Sequence, residues 1–336
     1  MLPDTAPVRE GEALDARALA AYLGAPSVEV EQFPGGHSNL TYLVRASGHE
    51  YVLRRPPLGP VAPKAHDMAR EYAVLKAVHP HFPPAPEVYR LCEDPGVIGA
   101  VFFLMERRRG VVIRGEVPEP WRAAAPAISR AFVDCLVALH AIDIASHGLA
   151  VLGHPEGYLE RQVRGWTDRW RRAQTEELPE IEMAIRWLAE RLPSSPPATL
   201  IHNDYKLDNL ILDPADPTRI IAVLDWEMAT VGDPLSDLGL TLCYWTLSAA
   251  RERVVTTQPG WHSPTQIVDY YAACTGRDIS RISYYEVLGI FKLAVILQQI
   301  YFRWVRGQTR DERFGTFDRR VRHLAAAAAA RVEASL

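Results

Sequence analysis

Cysteine is scarce in this 336-residue chain, and Cys92, Cys135, Cys243 and Cys274 lie far apart with no CxxC pair. That spacing argues against a disulfide framework or a zinc site and fits a reducing compartment, so a cytoplasmic location is expected. Neither sign of charge prevails. A net charge of -4 supplies no global attraction to nucleic acid or an anionic membrane, and neither is expected as a partner. Long apolar runs are missing too. The most apolar stretch, 287–302, contains Lys292, Gln298 and Gln299, is short for a membrane span and reads as a buried helix. Residues 1–11 carry Asp4 and Glu10 without an apolar run, so no signal peptide is expected. What the chain does have is ordinary core-forming material, 48% hydrophobic and 23% charged residues, enough for one large domain or two lobes.

Residues 15–23 read as a short helix with Asp15 as its N-cap. β-branched and aromatic runs predict strands at 28–33, 40–45, 51–54, 87–92 and 101–105, bounded by turn residues such as Gly48 and Pro56. One helix interrupts them, from about His66 to Val78, with Met68, Tyr72, Leu75 and Val78 at helical spacing. After Gly110 the period becomes helical. Ile128, Phe132, Leu136 and Leu139 mark one helix, and Ile181, Ile185, Leu188 and Leu192 another. A compact strand–loop–strand unit follows at 199–226, and the alanine-rich run 325–330 predicts a C-terminal helix. The layout is a small β-rich lobe, residues 1–106, and a larger helical lobe, residues 107–336.

The chemistry concentrates in Ile201-His202-Asn203-Asp204-Tyr205-Lys206-Leu207-Asp208-Asn209-Leu210, followed by an apolar strand, 220–224, that leads into Asp225. Phosphoryl transfer requires a carboxylate that orients the attacking hydroxyl and accepts its proton, and oxygen ligands that hold magnesium against the phosphates. Asp204 suits the first role, and Asn209 and Asp225 the second. Lys206 offers a charge to neutralise the γ-phosphate. A lone D-x4-N is common in turns, and His202 with Asp204 lacks the further ligands of a zinc site. The ordered combination is the informative signal.

This segment resembles the Brenner motif of the aminoglycoside phosphotransferase and choline kinase family, and more distantly the catalytic loop of protein kinases. Gly232-Asp233-Pro234-Leu235-Ser236-Asp237-Leu238 strengthens the likeness, which spans about residues 28–245. Lys206 departs from the commoner family pattern toward the protein-kinase one. The resemblance implies an α+β, bilobal protein-kinase-like fold with a small antiparallel sheet and a larger helical lobe. It implies ATP and Mg2+ as cofactors and a small-molecule hydroxyl as acceptor, with Asp237 bracing the catalytic loop.

It also assigns parts upstream. Gly35, Gly36 and Ser38 lie between two predicted strands and would bring backbone amides to phosphate, although alone they read better as an ordinary hairpin turn and gain weight only from their position. Strand alternation puts Val52 and Arg54 on one face. Arg54 stands where protein kinases carry lysine and is the candidate phosphate clamp. Its neighbour Arg55 reads as a solvated edge charge. Glu71 would pair with Arg54, while its local sequence equally suits a surface charge. The Glu106 carbonyl and Arg108 amide would hold the adenine edge.

From 240 to 336 there are 13 Lys+Arg against 8 Asp+Glu, and Arg161, Arg164, Arg169, Arg171 and Arg172 cluster within 160–172. This disfavours a polycationic aminoglycoside and suits an anionic acceptor, unless the arginines lie on solvated helix faces. HNDYKLDN, GDPLSDLG and Tyr51-Val52-Leu53-Arg54-Arg55-Pro56-Pro57 look most like the phosphotransferase domains related to acyl-CoA dehydrogenase fusion proteins. That likeness implies a hydroxyacyl substrate. A nucleotide-binding module without turnover and an aminoglycoside or amino-alcohol kinase remain alternatives. The oligomeric state is not encoded in any of these signals.

Overall fold

The computed structural model describes residues 4–34, 39–58, 66–247, 254–309 and 311–335. In chain order the elements begin with α1 (Ala16–Leu23), β1 (Val28–Gln32), β2 (Leu40–Ala46), β3 (His49–Arg55), α2 (Met68–Val78), β4 (Val88–Cys92) and β5 (Phe102–Met105). Then come α3 (Ala125–His140), α4 (Tyr158–Ala173), α5 (Pro179–Glu190), β6 (Thr199–Ile201), β7 (Leu210–Leu212), β8 (Ile220–Val223) and β9 (Thr230–Gly232). The chain closes with α6 (Pro234–Thr246), α7 (Pro264–Thr275), α8 (Ile282–Val305) and α9 (Phe317–Glu333). They group into two compact units, one of Met1–Val111 with Leu210–Pro214 and Ile220–Met228, the other of the intervening and following residues.

The first unit is built on a five-stranded antiparallel sheet, ordered β1-β2-β3-β5-β4. Alternation sorts its side chains. Tyr42, Val44, Leu53, Phe102 and Leu104 bury one face against Leu19 of α1. The Asp15 carboxylate caps α1, accepting the Ala18 amide at 2.9 Å. Arg54, in register with Phe103, belongs to the other face, on which α2 packs beside β4 and β5. Asp67 caps α2 and so sets where its inward residues Met68, Glu71, Val74, Leu75 and Val78 fall. Within this unit β7 pairs with β8, and the Val223 amide donates to the Pro84 carbonyl at 2.8 Å. That bond ties the end of β8, and the Asp225 that follows it, to the loop before β4.

The second unit is mainly helical. The stripe Ile128, Phe132, Leu136 and Leu139 of α3 is buried as its spacing predicts. Helix α5 stops at Glu190, so Leu192 lies beyond it and is 43% exposed. Pro193 follows, and a residue before proline is driven out of helical backbone. The expected strand–loop–strand at 199–226 is more divided: β6 pairs with β9, while β7 and β8 form their own ladder. Among the described residues two stretches, Glu119–His140 and Ile282–Val305, are long and apolar enough to cross a membrane, but half and 72% of their apolar windows are buried in the protein. Helix α8 is thus explained as a core helix. It approaches α6 through paired glycines. A Cβ on Gly239 would stand 2.3 Å from the Tyr285 carbonyl oxygen, and one on Gly289 2.9 Å from the Gly239 carbonyl oxygen.

Candidate active site

In the second unit β6 delivers the chain into the loop that carries Asp204. Asp237, fully buried on α6, organises that loop. It accepts the backbone amides of His202 and Asn203 at 2.6 and 2.8 Å, and Nε2 of His140 lies 3.2 Å from its carboxylate. Nδ1 of His140 faces the Tyr271 hydroxyl at 2.8 Å. Burial alone would raise the Asp237 pKa. The His140 hydrogen bond and charge, with the His202 charge and amide, outweigh it and hold the pKa below the ordinary value. This is the bracing geometry that the resemblance assigns to Asp237.

Asn203 sits between brace and base with φ at 64°, a left-handed backbone that asparagine tolerates better than most residues. Its side-chain oxygen accepts from the Tyr158 hydroxyl at 3.3 Å and from Nζ of Lys292 at 3.2 Å. The structure brings Asp204, Lys206 and Asn209 together. Lys206 Nζ lies 2.8 and 2.7 Å from the two Asp204 carboxylate oxygens, and 4.8 Å from the Tyr244 ring centroid. Asn209 lies at the end of a 3₁₀ turn, Leu207–Asn209. Its Nδ2 donates at 2.9 Å both to the Asp204 carbonyl and to its carboxylate. Because the amide nitrogen is committed there, Asn209 can offer a cation only its oxygen.

The first unit holds the other assigned residues. Arg54 Nη2 lies 2.5 Å from Asp225 Oδ1, and its Nε lies 3.0 Å from Glu71 Oε2, close enough for an ion pair though not aligned as a hydrogen bond. Glu71 is buried, not a surface charge, because it faces inward from the first turn of α2. Asn39 Nδ2 donates to Glu227 at 2.9 Å, and the Arg70 guanidinium donates to the Glu227 carbonyl at 2.7 Å. Three acidic side chains thus surround one guanidinium. Burial works against the Arg54 charge, but Glu71, Asp225 and Glu227 together hold its pKa above the ordinary value. Burial pushes the Glu71 carboxyl up to about 8, and the Asp225 and Glu227 charges add to this against the opposing pull of Arg54. Asp225 itself has φ at 70°, a second left-handed residue at the assigned chemistry.

Arg55 corrects its sequence reading. It is buried, and its guanidinium donates to the Ile98 carbonyl at 2.9 Å. It points to the sheet face opposite Arg54, where a carbonyl rather than water receives it. Glu106 and Arg108 form an ion pair at 2.8 Å, and the Glu106 amide donates to the Glu87 carbonyl at 2.8 Å. Gly35, Gly36 and Ser38 lie outside the described residues. Sequence reasoning assigned no role to Lys292, His140, Tyr158, Tyr271 or Glu227. Only Lys292 left a signal, as the lone cation in the apolar run 287–302; the others depend on packing between distant segments.

An antiparallel five-stranded sheet followed by helices, with the D-x4-N loop and a strand-end aspartate, defines the protein-kinase-like class of phosphotransferase. The chain belongs to the phosphotransferase enzyme family (APH), whose family model matches residues 29–266. It is 35% identical over 325 residues to acyl-CoA dehydrogenase family member 10 of Mus musculus, covering 91% of this chain and 30% of that protein. It is 33% identical over 327 residues to acyl-CoA dehydrogenase family member 11 of Homo sapiens, covering 92% of this chain and 42% of that protein. The chain therefore spans less than half of either relative. Among solved structures it is similar to a Ralstonia eutropha protein provisionally described as an aminoglycoside phosphotransferase, with TM-score 0.80, 29% identity and coverage of 96% and 99%. It also shares its fold with a thermostable mutant of aminoglycoside phosphotransferase APH(4)-Ia in complex with AMP-PNP and hygromycin B, with TM-score 0.60, 21% identity and coverage of 95% and 96%.

Proposed function

We propose that this protein transfers the γ-phosphate of ATP, with magnesium, to a hydroxyl of a small anionic molecule of hydroxyacyl type. The observation that carries the reading is the Asp204 carboxylate, held between Lys206 and Asn209 on a loop that Asp237 braces. Asp204 accepts the proton of the acceptor hydroxyl while its oxygen bonds to the γ-phosphorus and the bond to the bridging oxygen of the departing ADP breaks. Lys206, already on that carboxylate, supplies positive charge for the phosphoryl oxygens. Arg54 is the phosphate clamp, oriented by Glu71. The Glu106 carbonyl and Arg108 amide take the adenine edge, and Gly35, Gly36 and Ser38 the phosphates.

Magnesium fits the residues assigned to it. Asn209 presents its amide oxygen, and Asp225 lies among an excess of carboxylates over Arg54. Hard oxygen donors, few in number, are what a magnesium held mainly by phosphates and water needs. When bound, the ion neutralises charge on the phosphates.

The anionic acceptor is supported by the basic 240–336 region and by the likeness to the acyl-CoA dehydrogenase family members. The test is a coupled ADP-release screen over hydroxyacyl thioesters, hydroxy acids, sugars, amino alcohols and aminoglycosides. Turnover with a hydroxyacyl compound is expected, and Asp204→Asn is expected to lower it about 10²–10⁴-fold with an unchanged melting temperature. Full activity in that variant would reassign the base. Mg-ATP binding with no turnover across the panel would replace the kinase by a nucleotide-binding module.

A further inference from the structure

Lys292 is a buried ammonium that the proposed chemistry leaves without a role. It lies on α8, one turn beyond Gly289, whose close approach to Gly239 seats α8 against α6. Only 6% of the residue is exposed. Among the described residues no carboxylate pairs with it. Its partners are the Asn203 side-chain oxygen at 3.2 Å, the Asn203 carbonyl at 3.4 Å and the Trp166 ring, whose centroid lies 5.6 Å away. The residue it grips is the left-handed one between the Asp237 brace and Asp204.

A charge buried this way destabilises a fold unless it is compensated. Neutral oxygens and a ring compensate only in part. The left-handed backbone at Asn203 is itself strained, and it persists where surrounding contacts determine it. Asp237 fixes the amide of Asn203 and Lys292 fixes its carbonyl and side chain, so the two hold the residue from opposite ends. We infer that Lys292 is a positioning residue of the catalytic loop, holding Asn203 in its left-handed conformation so that Asp204 is presented for proton transfer. This rests on the proposed role of Asp204.

The groups facing the ammonium set its titration. Asp237 on α6 and Asp204 on the loop favour the charge, Arg169 on α4 opposes it, and the Tyr158 hydroxyl on α4 shares the Asn203 oxygen. Burial prevails and brings the Lys292 pKa down to about 8. The grip therefore weakens on the alkaline side.

The experiment measures acceptor-independent Mg-ATP hydrolysis from pH 6 to 10, with thermal unfolding, in the full chain and four variants. Lys292→Met is expected to melt at the same or a higher temperature at pH 7, because it removes a buried charge. Its kcat is expected to fall about 10–100-fold, as misplacement of a catalytic group does, with KM for Mg-ATP nearly unchanged. The alkaline decline of the unmodified protein near pH 8 should disappear in it. Asn203→Gly, which accepts the left-handed backbone without strain, should restore part of the loss when added to Lys292→Met. Asn203→Asp gives the ammonium a carboxylate and should move the alkaline decline upward; it tests the same idea should Lys292→Met fail to fold. Unchanged kcat and pH profile in Lys292→Met, or an unmoved decline in Asn203→Asp, overturn the inference. So does a lowered melting temperature with a kcat loss that Asn203→Gly leaves untouched, since that marks a packing role alone. Asp204→Asn separates the two levels: if hydrolysis survives it, the role given to Asp204 fails first.

Discussion

Arg54 shows how far single residues were legible. Alternation along β3 put Arg54 on the face of Val52, and the family resemblance rather than the local sequence paired it with Glu71, whose carboxylate lies 3.0 Å away. The contact with Asp225 at 2.5 Å was not legible, because it depends on the 220–228 segment folding with residues more than 160 positions earlier. The acid-rich surroundings of Arg54 have a pH consequence. Glu71 binds its proton more tightly folded, at about 8, than unfolded, near its ordinary 4.5. Between those values the folded protein holds the extra proton, so this residue makes stability decline as pH rises through the window. Glu71→Gln is expected to flatten the stability–pH slope there by about 1.4 kcal/mol per pH unit at most, read from melting curves at pH 5 to 8.5.

At the scale of elements, the helices with a clean apolar stripe were read correctly because burial follows their period. α3 is the plain case. The overrun of α5 came from counting Leu192 into the stripe when Pro193 forbids another turn. The contact of α6 with α8 left no stripe to read. It depends on Gly239 and Gly289 having no side chain where two backbones meet. Gly239→Ala gains helix propensity of up to about 1 kcal/mol but must part the helices. It is expected to lose about 1–3 kcal/mol net through overpacking, measured by urea unfolding. Because Asp237 and Lys292 ride on these two helices, the same change should lower turnover more than stability alone explains.

For the whole molecule, chain order was an incomplete guide. Residues 210–214 and 220–228 group with the N-terminal unit although they follow the catalytic loop in sequence, and no local pattern announces this. The composition of 240–336 hinted at acceptor charge but could not say which arginines point where. Nucleotide binding is expected to stabilise the entire chain. At a hundredfold excess over Kd, Mg-ATP should add about 2.7 kcal/mol, a rise of a few degrees in melting temperature for a chain of this size. The clasp between Arg54 and Asp225 bears on how that gain is divided. The aspartate oxygen already has a cationic partner, so a metal ion at the proposed Asp225 position would meet a rival. Phosphates held by Arg54, as proposed, would recruit the same guanidinium and release the oxygen. With the roles proposed for Arg54 and Asp225, nucleotide and metal would be thermodynamically coupled through one side chain, each strengthening the other by the same factor.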